Sequence, residues 1–330
     1  MTWWIEEADV VEPGPEVLCL GETMSLVSPA DPVPLEQAPV FTLSAGGAES
    51  NVAIHLAALG HRVGWASRVG DDPLGRRMVA AIAAAGVDTG LVEVRADAPT
   101  GVYFKDPGPR GTRVHYYRAG SAASTMDADF LPDELLDAPR LLHLSGITPA
   151  LSAGCDRLIR HLLTRDRRAR ITFDVNYRPA LWPVEQAGPV LRELAQFADT
   201  VFVGLDEANT LWGVETPEEV REVLNRPSVV VVKDGANAAH ALGSEAVTVP
   251  APKVEVVEPV GAGDAFAAGF LSGVLRGADV ARCLRLGHLL AAHSLLSTED
   301  HTASPDREDL ERWLGCDEMR WRALSFGSRA

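Results

Sequence analysis

Glu258-Pro259-Val260-Gly261-Ala262-Gly263-Asp264-Ala265-Phe266, continued by Ala267-Ala268-Gly269-Phe270-Leu271, is the stretch that decides how the chain is read. Upstream, Lys253-Val254-Glu255-Val256-Val257 alternates and predicts a short strand. Downstream, Phe266, Phe270, Leu271, Val274 and Leu275 recur at helical spacing. A glycine turn therefore opens a helix, with Asp264 in its first turn. Small residues let an anion approach the backbone, and the first N–H groups of a helix lack intrahelical partners and carry partial positive charge. An aspartate among them would repel an anion. It fits a base that faces a substrate hydroxyl while the neighbouring N–H groups hold a transferring phosphoryl group. It fits equally the commoner role of aspartate at a helix start, a cap, and the turn alone does not separate the two.

Two other nucleotide motifs are excluded. A dinucleotide fingerprint needs glycine where Phe266 stands, and a Walker A loop needs Gly-Lys-Ser/Thr, whereas none of Lys105, Lys233 and Lys253 follows a glycine. Protein-kinase signatures are absent as well.

At 330 residues with 46% hydrophobic content the chain can build one large α/β domain or two ordinary ones around a sizeable core. Its 46 acidic residues against 30 basic ones, a formal charge of −16, argue against nucleic acid or an anionic membrane as partner. An anionic small molecule fits only where arginines gather locally. Cys19, Cys155, Cys283 and Cys316 are far apart and lack Cys-x-x-Cys spacing, as expected for buried thiols of a cytosolic protein, not for disulfides or a zinc site. The acidic start has no apolar core of signal-peptide length, and no apolar run is long enough to span a bilayer, so a soluble, cytoplasmic protein is expected.

In chain order, residues 1–15 read as a loose leader, and Val17-Leu18-Cys19-Leu20 as a first buried strand. Gly46-Gly47-Ala48-Glu49-Ser50-Asn51 repeats the theme of glycines leading into a helix, which Gly60 stops. Asn51, one turn in, has a polar reason to sit among Val, Ala, Ile and Leu: a neighbouring loop or a polyhydroxylated ligand. Val63–Ser67 as strand and Pro73–Ala85 as helix continue an alternation that predicts a parallel sheet with right-handed crossovers.

Residues 98–118 break the rhythm. Thr100–Lys105 and Thr112–Arg118 flank Pro107-Gly108-Pro109-Arg110-Gly111 and predict a hairpin too polar for a central sheet. With residues 22–45 it suits a small separate sheet that covers the main sheet's active end. The gathering of Tyr103, Tyr116 and Arg118 there favours a lid over an ornamental loop.

Strands at Leu141–Gly146, Ile171–Asp174, Val201–Val203 and Val229–Val232 then resume the pattern, with a helix at 152–165. The strand ending in Asp174 runs into Val175-Asn176-Tyr177-Arg178-Pro179, at a carboxyl end where open α/β sheets place ligands, so Arg178 is read as a site arginine. The long helix at 279–297 carries His288 and His293 five residues apart, which is not a helical metal pair. Trp313 and Trp321 in the tail are expected to pack on the domain.

With both glycine segments in place, the chain from about residue 16 to 310 resembles the ribokinase-like, or PfkB, sugar kinase family. Gly46–Asn51 resembles its amino-terminal signature, and Val260-Gly261-Ala262-Gly263-Asp264 its carboxy-terminal one. The resemblance implies an α/β fold, a three-layer αβα with a mainly parallel central sheet and a small β-sheet lid, followed by a tail at 311–330. It implies Asp264 as catalytic base and the backbone of Gly261, Ala262 and Gly263 as anion hole. Tyr116–Ser124 and Asp174–Trp182 resemble the family's kinases of 2-keto-3-deoxygluconate. By that analogy Gly47, Asn51, Tyr103, Tyr116, Arg118 and Arg178 face a sugar acid. Lys233, Gly235 and His293 lie toward ATP, with Gly261 and Gly263, and Glu207 organises magnesium through water. Homo-oligomerisation, with the lid as interface, belongs to the same expectation.

Three segments depart from the family pattern. Gly204-Leu205-Asp206-Glu207 replaces Asn-x-x-Glu and keeps the glutamate; Glu258-Pro259 replaces Asp-Thr and leaves monovalent-cation activation open; Glu299-Asp300-His301 leaves the adenine contacts open. Another sugar kinase of the same fold, for fructose or a nucleoside, and a non-catalytic sugar-acid-binding regulator stand as alternatives.

Overall fold

Val17–Leu20 forms β1, four residues with no solvent exposure that point alternately to the two faces of one sheet. In this computed structural model the described residues are 14–108, 111–297 and 305–327. Residues 1–13 of the leader, Pro109-Arg110 at the hairpin tip and Glu299-Asp300-His301 lie outside them.

After β1 the chain leaves the sheet for β2 (Met24–Pro29) and β3 (Phe41–Gly46). It returns through α1 (Ala48–Ala58), β4 (Val63–Gly70), α2 (Pro73–Ala84) and β5 (Asp88–Arg95). A second excursion gives β6 (Val102–Asp106) and β7 (Arg113–Tyr117), and the short α3 (Asp133–Asp137) leads back. Next come β8 (Leu141–Ser145), α4 (Ala153–Thr164), β9 (Arg170–Asp174), α5 (Val184–Ala195) and β10 (Thr200–Gly204). They are followed by α6 (Leu205–Trp212), α7 (Pro217–Val223) and β11 (Val229–Asp234). The strands β12 (Ala238–Leu242), β13 (Ala246–Pro250) and β14 (Lys253–Val254) precede α8 (Ala262–Leu275) and α9 (Val280–Ser294). The chain closes with α10 (Arg307–Leu314), α11 (Glu318–Arg322) and β15 (Ser325–Phe326).

The main sheet has nine strands in the order β13-β12-β11-β10-β9-β8-β1-β4-β5. All neighbours from β11 to β5 run parallel, and the β12–β13 hairpin adds the antiparallel edge. Alternation sorts the core into two. Val17, Cys19 and Phe202 join the cluster under α1, α2, α8 and α9, whereas Leu18, Leu20, Val201 and Val203 join the one under α4 to α7. That is the expected three-layer arrangement. The separate sheet, β3-β2-β6-β7, has a small core of its own in Met24, Leu26 and Tyr103.

Helix α8 is buried from Ala265 to Leu275 without interruption. Its small residues let α9 approach: a Cβ on Gly269 would lie 2.5 Å from the Leu286 carbonyl oxygen, and one on Gly273 2.8 Å from Cys283 Sγ. His288 on α9 packs edge-on to Phe266 and bonds the Val249 carbonyl at 3.0 Å, a core role. Trp321 is fully buried and donates Nε1–H to the Pro250 carbonyl at 2.9 Å, while Trp313 packs against Phe326. The helix α10 spans the expected tail boundary at 310/311, so the last segment is joined to the body by a continuous helix.

One strand differs from the sequence reading. Of Lys253–Val257 only Lys253 and Val254 pair, and they pair with Ser325–Phe326 rather than the main sheet. Val256 and Val257 are exposed, so the alternation there has no buried face to satisfy. Cys19, Cys155 and Cys283 are buried thiols, Cys316 is half-buried, and all four are free. Among the described residues no helix is long and apolar enough to cross a membrane.

Candidate active site

The carboxyl ends of β8, β9, β10 and β11, the start of α8 and the lid together enclose a cavity of about 610 Å³. It is lined by Gly47 and Asn51 from the α1 turn, Tyr103, Tyr116 and Arg118 from the lid, and Arg178 after β9. Glu207, Lys233, Gly261, Gly263 and Asp264 complete the set of expected residues that the fold brings together. Ala262, Gly235 and His293 are not in this lining. Gly235 turns the chain after β11 with φ +47°, and His293 lies in the last turn of α9.

Each glycine segment has a local reason. Gly261 caps α8 in the left-handed region, φ +85°, which a side chain rarely adopts. Gly263 and Asp264 of the first turn line the cavity, and their N–H groups have no intrahelical acceptor, whereas the Ala262 N–H reaches the Pro259 carbonyl at 3.4 Å. Gly47 is needed for close approach: a Cβ there would lie 2.4 Å from the Glu22 carbonyl oxygen. That contact lets α1 start against the β1–β2 connection, and Asn51 Nδ2 donates to Asp264 Oδ2 at 2.8 Å, joining two motifs 213 residues apart.

Asp264 is held in a setting that disfavours its charge. Burial, opposed by the Asn51 hydrogen bond and helped by the nearby Asp174 carboxylate, lifts its pKa from 3.8 to about 7. Asp264 thus accepts a proton at neutral pH more readily than a solvated aspartate does. Lys233 Nζ sits 3.0 Å from Asp174 Oδ2 and would be 3.5 Å from a Cβ on Gly263, so a cation stands beside the glycine turn. Burial works against that charge, yet Asp174 and Glu207 hold the Lys233 pKa above its ordinary value.

Glu207 occupies the first turn of α6. Its carboxylate accepts N–H from Gly204 at 3.1 Å and from Tyr177, and burial together with Asp174 pushes its pKa up. The Tyr177 N–H is aimed there by Asn176, a non-glycine residue at φ +43°, a conformation asparagine tolerates better than most.

The two arginines differ. Arg178 is exposed at the cavity wall, bonds the Tyr177 carbonyl through Nη1 at 3.2 Å, and makes no ion pair among the described residues, though its charge reaches Asp264. Arg118 is buried and donates Nε–H to Glu22 Oε2 at 2.7 Å, with Nη2 on the same oxygen. Sequence reasoning did not single out Glu22 or Asp174. Asp174 closes a strand at a carboxyl end, a signal that was present; Glu22 carries none, because its partner lies 96 residues away.

A family model described as pfkB family carbohydrate kinase matches residues 15–307. The 2-dehydro-3-deoxygluconokinase of Bacillus subtilis (strain 168) is 35% identical, covering 91% of this chain and 95% of its own length. The enzyme of the same name from Thermoproteus tenax is 34% identical over 90% of this chain and 94% of its own. The crystal structure of a PfkB protein from Polaromonas sp. JS666 superposes with a TM-score of 0.82 at 37% identity, covering 90% of this chain and 99% of that one.

Proposed function

The chain belongs to the PfkB family of carbohydrate kinases, and from that premise we propose that it transfers the γ-phosphoryl group of ATP to the terminal hydroxyl of 2-keto-3-deoxygluconate, giving 2-keto-3-deoxy-6-phosphogluconate. The observation that carries the reading is one cavity that holds Asp264 at the start of α8 and, in its wall, the Arg178 guanidinium, which makes no ion pair among the described residues. The two relatives named as 2-dehydro-3-deoxygluconokinases, matched over nearly their whole lengths, support the substrate.

In this reading Asn51 orients Asp264 and keeps Oδ2 occupied, so Oδ1 receives the hydroxyl proton as the sugar oxygen attacks phosphorus and the bond to ADP breaks. The α8 N–H groups and Lys233 stabilise the charge on the transferred group. Arg178 grips the sugar acid's carboxylate. The lid, through Tyr103 and Tyr116, excludes water from the transfer.

Magnesium fits the site's donors. Asp174 and Glu207 offer hard carboxylate oxygens close enough to raise the Glu207 pKa, a strain a cation relieves. Among the described residues no group of three acidic, His or Cys side chains is arranged as a metal cage, so the fit is to an ion that keeps water and phosphate ligands. When bound, that ion would neutralise phosphate charge, and Glu207 would act on it through water. Gly235 and His293 are assigned to the ATP side.

A cytoplasmic enzyme that pairs through its lid completes the proposal: Phe41, Leu43 and Tyr117 expose apolar surface there. ADP release across a panel of sugars and sugar acids tests the function. The expected result is at least about tenfold higher kcat/KM for 2-keto-3-deoxygluconate than for fructose or a nucleoside, the discrimination one charge-assisted contact supplies. Equal turnover of fructose would favour the neutral-sugar alternative, and no ADP with any acid would favour the regulator.

A further inference from the structure

Glu22 lies between β1 and β2, where the chain leaves the main sheet for the lid, and it is 2% exposed while lining the cavity. Both its oxygens are occupied, Oε2 by the Arg118 guanidinium and Oε1 by the Ser121 hydroxyl. Arg118, 9% exposed, also lies 5.7 Å from the Tyr116 ring centre, and Tyr116 stacks on Tyr103 at 5.8 Å. A chain of contacts thus runs from the carboxyl end of β1, inside the main sheet, into the lid wall that lines the cavity.

We propose that Glu22 is a positioning residue for substrate specificity: it offsets the charge of Arg118 and fixes its guanidinium, so that of the two arginines lining the cavity only Arg178 is left without an ion pair to attract the acid's carboxylate. The inference rests on the sugar-acid reading given above. A buried guanidinium needs a counter-charge with good geometry, and Glu22 supplies it by accepting two guanidinium N–H groups on Oε2. Paired in that way, Arg118 keeps donors of fixed direction for hydroxyl or keto oxygens but adds little to the field that attracts a carboxylate. Arg178, which makes no ion pair among the described residues, supplies that field.

The claim has a sign that a purely structural role lacks. Glu22→Gln preserves size and an acceptor oxygen but removes the charge. The readout is the ratio of kcat/KM for 2-keto-3-deoxygluconate over its carboxylate-reduced neutral analogue. Glu22→Gln is expected to raise that ratio about fivefold, the size expected for one uncompensated charge a few Å away in a partly solvated cavity. Arg118→Gln, which leaves Glu22 unpaired, should lower it by about as much. The double variant should return within about twofold of the unaltered protein, since the net charge is restored. Should Glu22→Gln alone fail to fold, the step from Arg118→Gln to the double variant carries the same comparison, and calorimetric binding of both ligands replaces turnover where turnover is lost. Parallel losses for acid and analogue, or a double variant no better than Arg118→Gln, overturn the proposal. If the unaltered protein shows no preference for the acid, the substrate reading fails and this inference with it. If it prefers the acid and the ratios stay fixed, the Glu22 assignment alone fails.

Discussion

At the scale of single residues, the proposed role of Asp264 couples activity to stability with opposite signs. Its carboxyl must be ionised to take a proton, and burial holds its pKa near 7, so kcat/KM should climb from about pH 6 to 8 with a midpoint near 7. The Asn51 hydrogen bond favours the charged form; Asn51→Leu should move that midpoint upward. A flat profile across this range would remove Asp264 as the base. The folded protein holds the Asp264 proton more tightly than an unfolded chain, for which 3.8 applies. The stabilising contribution is therefore complete below about pH 3.8 and lost as pH rises to about 7. Asp264→Asn should accordingly lower turnover by roughly a hundredfold or more, yet melt at a higher temperature than the unaltered protein at pH 8. At the acid end, Arg178→Lys should weaken the sugar acid far more than ATP, because lysine cannot reproduce two parallel hydrogen bonds to a carboxylate; equal loss for the neutral analogue would contradict it. Asp264, Asn51 and Arg178 were legible because glycine turns and a strand end mark them. Glu22 was not, since the sequence does not announce which glutamate will meet Arg118, 96 residues away.

At the scale of elements, legibility followed burial. Val17–Leu20 and Val229–Val232 are apolar runs buried on both faces, and each forms the expected strand. Strand β5, Asp88–Arg95, sits at the sheet edge with half its residues exposed, Asp88 and Glu93 among them, and the short β12–β13 hairpin mixes Ala and Val with His240 and Thr248. Neither carries an apolar pattern strong enough to stand out. The packing of α8 against α9 depends on Gly269, whose Cβ would meet backbone at 2.5 Å. Gly269→Ala should destabilise the fold by about 1–3 kcal/mol in urea titration despite alanine's better helix propensity; a stabilised variant would show that α9 yields easily. The lid shares little core with the main sheet, so β6 and β7 should exchange amide hydrogens more slowly once the sugar acid is bound. Unchanged exchange at saturation would count against closure.

For the whole molecule, the alternation of strand and helix made the three layers legible, while the net charge of −16 bears on how substrates arrive. The overall field repels an anionic sugar acid, and salt of about 0.15 M confines that field to roughly 8 Å. With ATP saturating, kcat/KM for the acid should rise between low and physiological ionic strength, and for the neutral analogue it should stay level; identical responses would show that only the local arginine field matters. A last consequence belongs to synthesis. The residues leading to the Gly261–Asp264 turn are clamped by β15 and the residue before it, through Lys253 N–H to the Leu324 carbonyl and Glu255 N–H to the Phe326 carbonyl, both at 3.0 Å. A ribosome delivers Gly261–Asp264 well before it delivers that clamp. A nascent chain therefore carries the Gly261–Asp264 turn while the strand that braces its approach is still unmade.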